Sequence, residues 1–517
     1  MKNATIDDIL RERASGCGDR GFIEFPDTGR SLTFGELDLM TSAAGDFLEK
    51  AGVSAGSNIA VLMRNGEEMA LALMGIMRAG FTAVPLNPAD SMRHIRFILN
   101  RTQASAVFTL KEFGKTVTEA AAGMAKAPHL VITDAGKGAW SGRPAKNKTV
   151  RLKDTDTAMI LYTSGSTGDP KGVVLTHRNL ILNSSYVEKA HGLGAEDRAL
   201  CVLPLYHING FVFTLLTPLR TGGSVVMPHK FSVSGFWKTI SEYKATWASV
   251  VPTILSFLIH HHEYSPSDAA YDRPRLRFVR SASMMLPAEV KRKFEKYFGV
   301  KVINTLGLTE SAGQVFAMPL DAASGKESSV GVPWGLDVKV SDGRGEAAAG
   351  KEGEILIKGG SIMSGYYGEP LVTAGSFSDG WFKTGDMGYR DKDGYYFVTG
   401  RKKEIIIRGG ENISPLEIDD VLYSHPAVRE AAACGVPDPV YGEEVAAFVV
   451  LKKPDSCPAG ELLEFCRQRL PEYKRPKTIT VAAKLPKGPS GKILRKKLIA
   501  EAPAPAKNRI KKGVLHG

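Results

Sequence analysis

The stretch Tyr162-Thr163-Ser164-Gly165-Ser166-Thr167-Gly168-Asp169-Pro170-Lys171-Gly172 does more than any other to limit how this chain folds. An uninterrupted apolar run, Ala158–Leu161, feeds into it, and Val173-Val174-Leu175-Thr176-His177 leads out. A buried strand that breaks into glycine and hydroxyl residues presents consecutive backbone N–H groups, which can wrap an oxyanion. Lys171 supplies a neutralising charge. No Gly-Lys-Ser/Thr closes the loop, so a Walker-type ATPase is disfavoured. The composition alone also permits a flexible surface loop. On residue chemistry this is a phosphate loop and nothing more specific.

A strand of that kind needs a sheet around it, and the rest of the chain provides one. Ile59–Met63, Phe81–Pro85, Ala106–Leu110 and Leu130–Thr133 read as buried strands, and Glu67–Arg78 between them has helical spacing. The alternation resumes with Ala158–Tyr162, Ala199–Leu203, Ser224–Met227, Ala248–Val251 and Arg277–Ser281, which predicts a mostly parallel α/β sheet. Asp134–Asn147 reads as a surface connection. After Gly325 the runs Val338–Val340, Glu354–Lys358 and Tyr395–Val398 are short and punctuated by Gly and Asp, as in antiparallel β structure. From about Glu404 a smaller α+β unit follows: Ile405–Ile407, helix-like Leu416–Ser424, Ala431–Val436, Ala446–Leu451 and helix-like Gly460–Gln468. The expected architecture is a large α/β domain over 1–402, built of βα-layered subdomains and a small β-barrel-like part. A small mobile α+β domain over 403–517 completes it.

Composition removes other classes. Of 517 residues, 43% are hydrophobic and 24% charged, which excludes a disordered chain. The longest apolar stretch, about Met69–Met77, is half the ~18 residues a membrane helix needs. Met1–Asp8 carries acids where a signal peptide needs apolar residues, so a soluble, cytoplasmic protein without stable membrane insertion is expected. Cys17, Cys201, Cys434, Cys457 and Cys466 show no metal or redox spacing, and free thiols are expected, with no structural metal. The net charge of +12 gathers near the end, in Lys484, Lys487, Lys492, Arg495, Lys496, Lys497, Lys507, Arg509, Lys511 and Lys512. A solvated tail or a positive field for a phosphate-rich ligand both fit. Nucleic acid is disfavoured, because no aromatic ladder accompanies the charge.

The whole string from Tyr162 to His177 closely resembles the signature loop of the adenylate-forming superfamily, which includes acyl-CoA synthetases, peptide-synthetase adenylation domains and firefly luciferase. Asn304-Thr305-Leu306-Gly307-Leu308-Thr309-Glu310, Thr384-Gly385-Asp386, Gly400-Arg401-Lys402-Lys403-Glu404 and Pro489-Ser490-Gly491-Lys492 follow in the order that family needs. The resemblance spans essentially the whole chain and implies a carboxylate joined to the α-phosphate of ATP, with ATP, Mg²⁺ and CoA as the small-molecule requirements.

The resemblance also implies residue roles. Thr163, Ser164, Gly165, Ser166, Thr167, Gly168 and Lys171 would hold the phosphates. Thr309 would lie near the α-phosphate and Glu310 on Mg²⁺, an oxygen ligand for a hard cation. Asp386 would accept from the ribose hydroxyls, and Arg401 would add a ribose or phosphate contact. Lys492 would bridge carboxylate and α-phosphate. Lys403 would be the hinge about which the small domain turns between half-reactions. Gly409 and Gly410 would line the pantetheine tunnel, although a simple hairpin turn fits the same two residues. His207, Phe211, Met284, Met285 and Gly307 would border the acyl site, with Trp247, Val251 and Pro252 as further wall candidates. His207 fits a satisfied interior histidine equally well, and the apolar residues are core first.

Two departures stand out. Leu306 replaces the aromatic residue that most relatives stack on adenine, and Ser281-Ala282-Ser283-Met284-Met285 replaces a Gly/Ala-rich segment ending in Pro. Residues 199–320 resemble the oxalate- and fatty-acid-activating branches more than those that activate amino acids. The expected activity is conversion of a fatty, aryl or dicarboxylic acid to its acyl-CoA. The alternative is loading of a carrier protein, although only 25 residues follow Lys492 and no carrier domain is attached. A degenerate nucleotide-binding scaffold is disfavoured by the intact Lys171, Glu310, Asp386, Arg401 and Lys492.

Overall fold

The computed structural model describes residues 4–133, 151–163, 170–264, 275–322, 325–487 and 493–501. The chain divides into two compact units, the larger containing 1–384 and 388–398, the smaller containing 385–387, 399–488 and the segment from 492.

Two sheets with helices on their faces make up most of the larger unit. In one, described strands run in the order Gly365–Tyr366, Lys171–Thr176, Thr157–Thr163, Thr82–Leu86, Asn58–Leu62, Ala106–Leu110, His129–Thr133. The pairings from Thr82–Leu86 outward are parallel, as the predicted strand–helix alternation requires. In the other the order is Val332–Pro333, Gly313–Ala317, Lys301–Leu308, Phe278–Ser281, Trp247–Val250, Arg198–Leu200, Ser224–Val226, Gly21–Phe25, Arg30–Thr33. Helix Glu67–Arg78 is buried on nearly every face, so its apolar surround packs into the main core rather than forming a stripe. The antiparallel part expected after Gly325 is a separate sheet built on Asp337–Ser341, Gly353–Lys358 and Trp381–Arg390, with Tyr396–Arg401 paired to the last.

The strand expected at Ala199–Leu203 ends at Leu200. Pro204 lacks an N–H and biases the residue before it, and here the chain leaves the sheet. Asn65 takes over the abandoned backbone groups, donating from Nδ2 to the Leu203 carbonyl (2.9 Å) and accepting from the Leu205 N–H (2.8 Å).

In the smaller unit Val428–Asp438 and Gly442–Leu451 form a long antiparallel hairpin, well beyond the predicted Ala431–Val436 and Ala446–Leu451. Asp438 closes its turn by accepting from Val440 N–H and Tyr441 N–H. Gly409 and Gly410 are the two-residue loop of another hairpin, with Arg408 opposite Glu411 and φ of +58° and +90°. That pair of positive angles suits glycine and a type I′ turn.

Arg495 corrects the reading of the basic C-terminal stretch. It faces inward, pairing with Asp419 and with Glu404 (3.3 Å) and donating from Nε to the Ala433 carbonyl (3.0 Å). Lys487 pairs with Glu430 at 2.8 Å. Neither belongs to a free positive field.

All five cysteines are free. His425, Cys457 and Glu461 approach one another within 4.8 Å, a proximity that sequence spacing did not suggest. The Ala427 N–H donates to His425 Nδ1, so the ring proton sits on Nε2, 3.6 Å from Glu461. That is the polarity of a donor to a carboxylate, not of a metal ligand. Among the described residues no helix is long and apolar enough to cross a membrane.

Burial sets an acid limit on the larger unit. His177 accepts from the Ile6 N–H through Nδ1, and burial pulls its pKa from 6.5 down to about 4. Burial lowers fully enclosed His191 as well. The unfolded chain binds these protons near pH 6.5 and the folded chain does not, so stability is complete above that pH and falls as pH drops towards 4. His177 alone accounts for about 3 kcal/mol across the window. The five tryptophans all lie in the larger unit. Urea unfolding followed by their fluorescence should lose midpoint steadily from pH 7 to 5, and His177→Gln should flatten that slope by about one proton. An unchanged slope would refute the assignment.

Candidate active site

The phosphate-loop strand and its return strand form a hairpin in which Thr163 sits opposite Lys171, and Thr163 Oγ1 lies 3.4 Å from the Lys171 carbonyl. Ser164, Gly165, Ser166, Thr167 and Gly168 lie outside the described residues, as does Lys492. Thr163 and Lys171 therefore mark the two ends of the predicted loop.

Thr309 and Glu310 occupy a short 3₁₀ turn, Thr309–Ser311, at the end of strand Lys301–Leu308. Tyr366 connects this turn to the phosphate loop. Its hydroxyl donates to Glu310 Oε1 (2.9 Å), and the Lys171 ammonium stands 5.0 Å from its ring centroid. The same strap is fixed by its backbone: Met363 N–H to the Glu310 carbonyl (2.8 Å), Ser364 N–H to Val174 and Tyr367 N–H to Gly172. One oxygen of the Glu310 carboxylate is thus held by a neutral donor while the other remains available to a hard cation. The donor set fits Mg²⁺.

Helix His177–His191 braces both pieces from beneath. Asn179 Nδ2 donates to the carbonyls of Gly360 (2.8 Å) and Ile362 (3.0 Å). One turn on, Asn183 Nδ2 donates to Ser311 (3.0 Å) and Gln314 (2.9 Å), and its Oδ1 accepts from the Gln314 N–H. Gly307 is fixed by packing, because a Cβ there would overlap the Gly313 carbonyl oxygen.

In the smaller unit Asp386 is buried and accepts from Arg401 Nε onto Oδ1 at 2.6 Å. The two predicted ribose contacts are thus each other's partners. Lys403 is exposed at the tip of a turn that the Glu404 and Ile405 N–H groups close onto the Arg401 carbonyl.

Towards the predicted acyl site, His207 begins a turn that runs into a π-helical stretch, Asn209–Leu216. Burial draws its imidazole down to about 4, so the ring is neutral at pH 7. Its Nε2 is shielded from solvent and has no hydrogen-bond partner among the described residues. Asn209 ties this stretch to neighbouring strand ends, accepting from Ser249 Oγ (2.6 Å) and reaching Ser283 Oγ (3.4 Å). Phe211 is fully enclosed in the core, while Met285 and Leu306 pack half-buried against it. Met284 is half-buried too.

Asn65, Asn179, Asn183 and Tyr366 escaped the sequence reading. The one available signal was the Asn pair four residues apart on the helix after the phosphate loop.

Comparison with known proteins agrees with this arrangement. The chain matches the AMP-binding enzyme family over residues 10–367 and the AMP-binding enzyme C-terminal domain over 417–492. It is 41% identical to the sulfoacetate–CoA ligase of Cupriavidus necator, covering 96% of this chain and 98% of the relative. It is 34% identical to the oxalate–CoA ligase of Arabidopsis thaliana, covering 96% and 98%. The crystal structure of the anthranilate CoA ligase AuaEII with anthranoyl-AMP superposes with a TM-score of 0.90 at 26% identity, covering 97% of each chain. The two strands that bracket the predicted loop, the strapped Thr-Glu turn and the full-length similarity to CoA ligases agree: the chain belongs to the AMP-binding enzyme family, on the acyl-CoA synthetase branch of the adenylate-forming superfamily.

Proposed function

We propose that this enzyme activates a short carboxylic acid bearing a second acidic group, using the residues described above. The reaction is that of its branch: ATP-dependent ligation of an acid to CoA through an acyl-adenylate, releasing pyrophosphate and then AMP. The acid's class is suggested by the relatives named for sulfoacetate and oxalate, both two-carbon acids with a second ionised group.

Adenylation brings a carboxylate up to a polyphosphate, so anion meets anion, and preorganised positive charge must do most of the work. Lys171, Thr163 and the Ser164–Gly168 loop bind the phosphates. Bound Mg²⁺ would neutralise phosphate charge, and Glu310 would hold it through the carboxylate oxygen that Tyr366 does not occupy. Thr309 donates near the α-phosphate. Asp386, paired with Arg401, accepts from the ribose hydroxyls. Lys492 carries its charge to the carboxylate and α-phosphate for the first half-reaction. Rotation about Lys403 then exchanges that arrangement for one in which the Gly409–Gly410 hairpin flanks the CoA pantetheine. His207 and Gly307 border the acyl group, with Phe211, Met284 and Met285 behind them. The observation that most supports this reading is the Lys171–Tyr366–Glu310 chain, one phenol facing both a phosphate-loop cation and a metal-binding carboxylate.

Mass spectrometry with ATP, Mg²⁺ and separate acids tests the substrate class. Sulfoacetate, oxalate or malonate should give an adenylate that becomes an acyl-CoA on adding CoA, with acetate and long-chain fatty acids far behind. A preference for long-chain or aryl acids would overturn it, and an adenylate that persists despite CoA would point to a carrier protein. Lys492→Ala should lower adenylate formation by ~10²-fold or more, while transfer to CoA from supplied adenylate suffers less. Equal loss in both halves would rule that role out. Tyr366→Phe should raise the Mg²⁺ concentration for half-maximal activity by about tenfold and weaken Mn²⁺ binding to the ATP complex, followed by electron paramagnetic resonance. Unchanged metal dependence would leave Tyr366 a packing residue.

A further inference from the structure

Arg280 is fully buried on strand Phe278–Ser281, in the interior of the sheet whose neighbouring strand Lys301–Leu308 leads into the Thr309–Ser311 turn. Its guanidinium carbon lies 3.9 Å from the ring centroid of Phe213, and Nη2 donates to Thr305 Oγ1 at 3.1 Å. Nε and Nη1 have no hydrogen-bond partner among the described residues. No carboxylate among the described residues offsets the charge, and burial draws its pKa down to about 9. Other arginines buried in this protein are compensated: Arg78 pairs with Asp7 and Asp38, Arg220 with Glu188, and Arg495 with Asp419 and Glu404. An enclosed guanidinium with open donors costs several kcal/mol more than an apolar residue of the same volume. A position that needed only bulk has cheaper solutions.

The location says what would offset that cost. Thr305, which orients Nη2, directly precedes Leu306 and Gly307 and lies four residues before Thr309. Phe213 is two residues beyond Phe211, in the π-helical stretch that begins beside His207. Ser281, next in the strand, has an enclosed Oγ with no partner among the described residues, and its carbonyl accepts from Thr305 Oγ1 at 2.9 Å. We propose that Arg280 is the specificity-determining residue for the acid, binding the sulfonate or second carboxylate at its far end through a guanidinium edge that Thr305 does not take. This rests on the doubly charged substrate class proposed above. Nη2 has two hydrogens, so with one on Thr305 the other still forms a two-donor fork with Nε–H or Nη1–H for a planar carboxylate or a sulfonate. No solvent reaches the guanidinium in this structure, so the acid gains that edge by shifting the Phe213 turn. Phe213 also occupies the space that a Cβ on Gly313 would need, 2.6 Å from its ring. π-Helical turns are frequently found at functional sites.

The test is ATP–pyrophosphate exchange by the full-length enzyme with sulfoacetate, malonate and oxalate against acetate and propionate. The wild type should prefer its best doubly charged acid over the neutral-tailed ones by ~10²-fold or more in kcat/KM. Arg280→Met should erase that preference by losing the charged acid, with ATP binding and the rate on acetate or propionate within about twofold of wild type. Tryptophan fluorescence checks that the variant is folded. Should it fail to fold, Thr305→Val decides, because it removes the orienting acceptor but not the charge; the preference should fall about tenfold, mainly through KM for the charged acid. A wild type without preference for doubly charged acids overturns the substrate class and this inference together. A wild type with the preference and an Arg280→Met or Thr305→Val variant that keeps it overturns the role of Arg280 alone.

Discussion

The larger unit depends on one helix face that satisfies backbone groups no sheet can reach. Asn179 and Asn183 stand one turn apart on His177–His191, and both turn their amides into the interior. The carbonyls they receive belong to segments without regular partners, the Gly360–Ile362 strap and the Ser311–Gln314 turn. An enclosed carbonyl without a donor costs about 1–3 kcal/mol, so each asparagine fixes the position of a segment as well as stabilising it. Those two segments carry Tyr366 and Glu310 to within a hydrogen bond of each other. The same helix starts directly after Lys171–Thr176, and so the placement of the charged groups follows from its register.

Most of the framework was legible because period and length were unambiguous. Ala106–Leu110 and Glu67–Arg78 occur with the limits their patterns give, since apolar runs bounded by turn residues leave little choice. The errors arose where one local signal outweighed a distant partner. Ala199–Leu203 looked like a full strand, yet Asn65, more than 130 residues earlier, takes the chain at Leu203 and Leu205. The strands expected at Ala431–Val436 and Ala446–Leu451 stop short of the real hairpin, because the Asp438 side chain carries the pairing through Pro437 to a turn. Arg495 sat among lysines and read as part of a solvated stretch, whereas Asp419 and Glu404 lie 76 and 91 residues away in sequence. The site divides in the same way. Motif residues such as Lys171, Glu310 and Asp386 could be named from local strings. Tyr366, Asn183 and Arg280 act through contacts 25 to 131 residues apart and leave no local pattern.

Charge in the interior shows how differently one side chain can be used. Arg495 has an acid on each terminal nitrogen and a carbonyl on Nε, so every nitrogen has a partner and its charge is matched within the smaller unit. Such a guanidinium behaves as a cross-link: it ties the segment after Lys492 to the helix Pro415–Tyr423 and to the turn after Lys403. Removing any one partner would leave a charge stranded, which is why such networks resist piecemeal change.

Arg280 has the opposite arrangement, with one hydroxyl, one aromatic face and two empty donors. The ring helps, since a desolvated cation over an aromatic face gains about 2 kcal/mol, but that is less than the several kcal/mol an enclosed ion loses on leaving water. The remaining imbalance is a standing preference for an anion at that place. Catalysis gains from keeping such a preference unmet until substrate arrives, because donors oriented in advance need no reorganisation when the charge appears. It also explains why selectivity can reside in a residue remote from the phosphates: a carboxylate identifies every acid this family activates, and only the far end of the molecule distinguishes one acid from the next. A fixed guanidinium without a counter-carboxylate among the described residues discriminates by charge, which apolar wall residues alone cannot do.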